Sequence, residues 1–176
     1  RRLTDYQLAT LSRGYGRKTQ GIRISSAADD ARTIGDEPFQ LLRKFEGTIK
    51  VVVGEERALA IPAILHQFPE VQAIIMDDAF QHRTVKPQFS ILVTDYERPF
   101  YKDFLLPFGR LREAGKGAGR ADIIVVTKAD GIGEEEMGIM TRDIQKTAGE
   151  KPVFFSGLSY QQPLPIQHRN PIGGKV

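Results

Sequence analysis

Six short apolar runs, at 7–12, 49–53, 71–77, 89–95, 123–128 and 153–156, constrain this chain more than anything else in it. Most lack the in–out alternation of a half-solvated strand. That pattern predicts strands buried on both faces, as in a parallel sheet. Helical segments are predicted between them, at 37–45, 57–67 and 134–148. In the last of these, Met137, Ile139, Met140 and Ile144 form a rough apolar stripe, and Gly149 is a natural stop. Pro62 predicts a kink or a later start in the middle one. Strands alternating with helices predict an α/β fold: a doubly wound, mostly parallel sheet with helices on both faces. Such sheets hold ligands outside the carboxyl ends of their strands, and the polar clusters of this chain fall there. The pattern favours a ligand-processing domain over a scaffold.

Length is sufficient for one α/β domain, and the 176 residues contain no Cys, which excludes disulfides and thiolate metal sites. A net charge of +3 suits anionic partners such as phosphates or an anionic leaflet. The aromatic interleaving of a single-strand nucleic-acid binder is missing, so nucleic acid is not an expected partner. No run of about 18 apolar residues is present to span a bilayer, and no signal peptide is visible. The chain opens on Arg1-Arg2 and ends in Gly173-Gly174-Lys175-Val176, which reads as an internal piece of a longer protein. Residues 1–158 read as a partial domain and 159–176, with Pro163, Pro165 and Pro171, as a linker. Between Gly14 and Gly35 the pattern breaks into a basic, glycine-punctuated excursion carrying Arg13, Arg17, Lys18 and Arg23. It reads either as a mobile lid or binding loop, or as a solvated insertion.

Asp77-Asp78-Ala79-Phe80-Gln81 closes the third apolar run. Two carboxylates at the mouth of a buried strand repel each other and resist desolvation. A divalent cation or a transferring proton rationalises such a pair, as at the Walker B position of a P-loop phosphotransferase. An Asx-rich turn after an ordinary strand is the alternative. Thr127-Lys128-Ala129-Asp130 is similar to the Asn-Lys-x-Asp base-reading motif of P-loop GTPases, but lacks its Asn. A solvated strand end is the reading those residues favour over a base contact. His82 is a candidate proton shuttle or a structural hydrogen-bonded histidine, while His66 and His168 suggest no role.

Five clusters in order carry a resemblance: Leu11-Ser12-Arg13-Gly14-Tyr15-Gly16-Arg17-Lys18, Gly35-Asp36-Glu37-Pro38, Arg57, Asp77 to Arg83, and Leu106-Pro107-Phe108-Gly109-Arg110-Leu111-Arg112-Glu113. Together they resemble the tetraacyldisaccharide 4'-kinase (lipid A 4'-kinase) family. The resemblance implies a P-loop kinase using ATP and Mg²⁺ to phosphorylate the 4'-hydroxyl of an acylated glucosamine disaccharide 1-phosphate. Such enzymes work at the cytoplasmic face of the bacterial inner membrane. It implies Asp77, Asp78 and Glu113 as metal ligands and Asp36, with Asp78 and Glu113, as catalytic carboxylates. Arg13, Tyr15, Arg57, Gln81 and Arg112 are implied as substrate or phosphate contacts. Simple helix capping ahead of Pro38 is the other reading of Asp36.

Two departures stand out. The family carries Gly where this chain has Ala79, which is strained if that position takes positive φ. Phe108 and Arg110 replace a small residue and a Pro. No Gly-x-x-x-x-Gly-Lys-[Ser/Thr] occurs in the 176 residues. By the resemblance, that loop belongs upstream of Arg1 and a histidine-bearing segment beyond Val176, so this stretch alone is expected to be inactive. Membrane association is expected from a segment outside the chain, helped by Arg13, Arg17, Lys18 and Arg23. Competing readings are a P-loop GTPase or metallochaperone-like nucleotide hydrolase, and a non-catalytic α/β interaction fragment.

Overall fold

The computed structural model describes residues 5–45 and 47–160, and the chain divides into two compact units, 1–90 and 91–176. The proposed linker from Gln161 onwards, and His168, lie outside the described residues.

In the first unit the elements run β1 (Leu8–Ser12), β2 (Arg23–Ile24), α1 (Ala31–Ile34), α2 (Asp36–Phe45), β3 (Ile49–Val53), α3 (Arg57–Gln67) and β4 (Ala73–Met76). The sheet order is β2-β3-β1-β4, with β1 parallel to both β3 and β4. Only the short β2 runs antiparallel in this sheet, against β3. Ala9, Leu11, Val52, Ala60, Ile64 and Val71 form a buried cluster that joins α3 to the sheet. Each Val, Leu or Ile among them contributes about 1.5–3 kcal/mol when fully buried.

The second unit contains β5 (Ile91–Asp95), β6 (Ile123–Thr127), α4 (Glu134–Ala148) and β7 (Val153–Phe155). Its three strands lie in order β5-β6-β7, all parallel. Short 3₁₀ turns occupy Phe100–Lys102 and Gly115–Arg120. Met140, Ile144 and Ala148 are the buried stripe of α4, which ends at Gly149 with φ of 82°. Every apolar run of the sequence contains a strand, and the architecture is the α/β type expected.

Two expectations need correction. The helix over 57–67 does not start late, and Pro62 sits inside it. Proline removes one bond of the i→i−4 ladder, here the one onto Ala58. Ala58 and Pro62 both lie on the exposed face, where solvent can hydrate the freed carbonyl.

The excursion at 14–35 is tied to the first unit at several points, so it is not a purely solvated insertion. Ser25 N–H donates to Val51 O at 2.9 Å, and Lys18 N–H to Arg32 O at 2.7 Å. Asp30 and Thr33 close a capping box that starts α1. Arg17, its side chain only 3% exposed, is ion-paired with Glu55 and donates to Gly21 O. Arg23 pairs with the buried carboxylate of Asp29 at 2.6 Å. Both arginines are engaged within the protein, so the expected basic patch loses two of its four cations.

Burial pushes the Asp29 carboxyl up, but hydrogen bonds from the Ser26 backbone, Thr33, Arg23 and the Ser26 hydroxyl outweigh it and hold the group below its ordinary 3.8. The stability it contributes is complete above that ordinary value. It is lost as pH falls through the lower folded value, because the unfolded chain protonates first. Asp29→Asn is expected to lower stability by about 2 kcal/mol at neutral pH. It should also flatten the acid side of the urea-midpoint profile below about pH 4. Urea titrations at neutral and acid pH check both effects.

Candidate active site

Three parallel strands of the first unit end at one edge of their sheet. Ser12 is paired with Val53, and Leu11 with Met76. Gly54 N–H donates to Ser12 O at 2.9 Å, and Asp77 N–H to Leu11 O at 3.0 Å. The residues that follow each strand are therefore neighbours: Arg13 after β1, Gly54 to Arg57 after β3, and Asp77-Asp78 after β4.

Arg57 is the least expected member, because it is 1% exposed at the first position of α3. An unpaired buried guanidinium would be prohibitively unstable. Its Nη1 donates to Gly54 O at 2.7 Å and to Glu55 O at 3.1 Å. Burial is the largest influence lowering its pKa, and the neighbouring charge of Arg13 adds to it. Asp78, Glu55 and Asp77 pull in the other direction. Two arginines and three carboxylates thus share one electrostatic cluster at the strand ends. Asp77 and Asp78 are exposed while Arg57 lies buried, so the negative charge faces outward and the balancing positive charge sits within.

Asp78 takes the left-handed conformation, with φ of 45°. The strain expected at Ala79 falls one residue earlier, on a type of side chain that tolerates this region better than most. Behind the pair, the Gln81 Oε1 is buried without a hydrogen-bond partner, as is the Ser12 Oγ at the end of β1. His82 N–H closes a turn onto Ala79 O at 2.8 Å.

Asp36 reaches this edge through two glycines. A Cβ on Gly14 would lie 2.7 Å from Ile34 O, and one on Gly35 would lie 3.1 Å from Gly14 Cα. Both residues have positive φ, 71° and 94°. Only glycine permits this backbone-on-backbone approach. It sets the Arg13–Tyr15 turn against the start of α2, whose first residue is the exposed Asp36. Helix N-termini favour acidic residues, which suits an Asp at this position. Tyr15, 92% exposed, projects from the same turn.

Arg112 and Glu113 belong to the second unit and are described there by themselves. Glu113 is ion-paired with Arg120 at 2.6 Å. In that unit Lys128 also has positive φ, 56°, and pairs with Asp95 at 2.5 Å. Asp130 Oδ1 accepts the Leu158 N–H at 2.7 Å. Lys128 thus joins the end of β6 to that of β5, and Asp130 accepts a bond from the segment after β7.

A hard, oxygen-seeking cation fits the Asp77-Asp78 edge. The donor set is two adjacent exposed carboxylates, with orphaned oxygens on Ser12 and Gln81 nearby in the fold. Among the described residues no three or more His, Cys, Asp or Glu side chains form a closed cage. Mg²⁺ is commonly held this way, by one or two carboxylates with water and substrate phosphate completing the shell. Glu55 and Ser12 are the site-edge residues that motif reading passed over. Ser12 carried one usable signal, a polar residue closing an otherwise buried strand. Glu55 carried none, since its partner Arg17 lies in the excursion.

The family model for tetraacyldisaccharide-1-P 4'-kinase matches residues 2–163. The chain belongs to that family. A tetraacyldisaccharide 4'-kinase of Bacteroides fragilis strain YCH46 is 51% identical over 158 residues, covering 89% of this chain and 42% of the relative. One from Cytophaga hutchinsonii is 41% identical over 157 residues, covering 88% and 44%. The chain thus spans less than half the length of these curated relatives. Among solved structures, LpxK from Aquifex aeolicus in complex with ATP superposes with a TM-score of 0.65 at 26% identity, over 94% of this chain and 67% of that one. This likeness supports the P-loop kinase type of α/β fold expected for the family.

Proposed function

We propose that the protein containing this chain is an ATP-dependent kinase acting on the 4'-hydroxyl of an acylated glucosamine disaccharide 1-phosphate, in lipid A biosynthesis. The family membership carries this reading. The gathering of Arg13, Asp36, Arg57 and Asp77-Asp78 at one strand edge supports it. Phosphoryl transfer asks a protein chiefly for positioning and charge neutralisation. Asp77 and Asp78 are the residues of the first unit that would hold Mg²⁺, and Glu113 is the carboxylate of the second unit to which the family resemblance gives a metal-binding role. When bound, that ion would neutralise charge on the transferring phosphates. Arg13 and Arg112 bind anionic oxygens, Tyr15 and Gln81 contact substrate, and Arg57, expected from the sequence as a direct contact, is buried and instead balances the aspartate pair from within. Asp36 accepts the proton of the sugar hydroxyl, a weak acid that needs a positioned base. The phosphate-binding loop is supplied from outside these 176 residues. The protein works at the inner face of the bacterial inner membrane, although no helix among the described residues is long and apolar enough to cross a bilayer.

The test is transfer of labelled γ-phosphate by the full-length protein to tetraacyldisaccharide 1-phosphate, with ATP and GTP compared. ATP-dependent labelling at the 4'-position is expected. GTP-selective hydrolysis with no lipid labelling would favour the nucleotide-hydrolase alternative.

A further inference from the structure

The turn at 104–108 in the second unit exposes more apolar surface than stability explains. Phe108 is 90% exposed, Phe104 69%, Leu106 64% and Leu105 47%. These side chains are consecutive or nearly so, and a contiguous apolar projection of this kind marks an interaction site. The turn is nonetheless well built. Leu106 N–H donates to Leu111 O, Leu111 N–H to Phe104 O, and both Phe108 and Gly109 N–H to Leu105 O, all at 3.0–3.1 Å. Asp103 Oδ1 accepts the Phe104 and Arg110 N–H groups at 2.7 and 3.3 Å. The Phe104, Leu106 and Phe108 N–H groups and the Phe104 and Leu105 carbonyls are thus satisfied internally, which lowers the desolvation penalty of entering an apolar phase.

Exposed cations flank it, with Lys102 before the turn and Arg110 and Lys116 after it. Protein–protein interface cores are depleted in Lys. An apolar tip with exposed basic side chains before and after it in the chain, and the carboxylate of Asp103 held on its backbone, instead matches the layering of a bilayer, acyl chains beneath anionic headgroups. We infer that residues 104–108 form a membrane-insertion turn, with Phe104, Leu106 and Phe108 entering the interface of an anionic leaflet. Lys102, Arg110 and Lys116 lie against the headgroups. The inference rests on the proposal that the protein works at a membrane, and it names the surface. It moves the contact away from the excursion, where Arg17 and Arg23 are engaged internally.

None of the 176 residues is Trp, so an indole placed in the turn adds a signal of known origin. In the full-length protein, the fluorescence difference between F108W and its parent is recorded with vesicles of phosphatidylglycerol and phosphatidylcholine. It is recorded again with phosphatidylcholine alone and with brominated acyl chains. Expected with anionic vesicles are a shift to shorter wavelength and quenching by the brominated lipid, both weakened by salt. L106S/F108S should reduce partition onto those vesicles roughly tenfold. Both side chains are exposed, so this variant should fold.

An unshifted, unquenched indole would overturn the inference. So would an indole already shielded without lipid, which would mean another part of the protein covers the turn. Phosphate transfer in detergent is measured in parallel. An active but unshifted F108W protein defeats the insertion turn alone, while vesicle insertion without transfer defeats the kinase reading alone.

Discussion

Asp78→Asn in the full-length protein is expected to lower kcat by about a hundredfold or more while leaving the fold intact. Asn keeps the shape of Asp and its tolerance of the left-handed φ of 45° at this position, so the backbone turn is preserved. What disappears is one carboxylate from an edge whose donor set suits a hard divalent cation. Asp78→Ala tests the same charge less cleanly. It forces a β-carbon without a polar group into left-handed geometry, at about 1–2 kcal/mol. Both substitutions leave the buried Arg57 with one fewer compensating carboxylate, so the difference between them is the backbone cost alone. Asn and Ala should therefore share the catalytic defect and differ in urea midpoint. Asp36→Asn should lose activity by a similar factor, through the proton of the acceptor hydroxyl rather than through the metal. Near-parental turnover in Asp78→Asn or Asp36→Asn would remove that residue from the mechanism.

Gly14→Ala is expected to destabilise the protein by about 3 kcal/mol, and Gly16→Ala by only about 1 kcal/mol. The two glycines are matched in conformation, with φ of 71° and 75°. A new Cβ at Gly16 meets nothing within 4 Å, whereas at Gly14 it lies 2.7 Å from the Ile34 carbonyl oxygen. Backbone cannot swing aside as a flexible side chain can. Relief would push the Arg13–Tyr15 turn away from the start of α2, separating Arg13 from Asp36. Gly14→Ala should accordingly lose kcat in excess of its loss of folded population, and Gly16→Ala should not. Paired urea titrations and kinetics on the two variants decide this; equal destabilisation would mean that the close approach of Gly14 and Gly35 is unimportant.

Much of the fold was legible because its signals are local. An unalternating run such as that at 49–53 can satisfy its backbone and bury both faces only inside a parallel sheet. The helix over 134–148 was readable from its stripe and its terminal glycine. The two missed elements have weak local signals. β2 is two residues long and exists because β3 offers it an edge. α1 is a single turn held by the Asp30–Thr33 capping box. Pro62 misled as to where the helix starts for the opposite reason, since a strong local breaker is tolerated where the freed carbonyl faces solvent.

The sequence by itself determined the α/β class, the six strands and the carboxylate pair at the end of one of them. Those follow from side-chain hydrophobicity and spacing, which act over a few residues. Tertiary structure alone decided which charges belong to the site. Arg17, Arg23 and Arg57 look alike along the chain, yet the first two are engaged in the excursion and the third lies buried under Asp77 and Asp78. Charge interactions depend on distance and desolvation through space. Only folding, by bringing Gly14 onto Gly35 and aligning three strand ends, sets those distances.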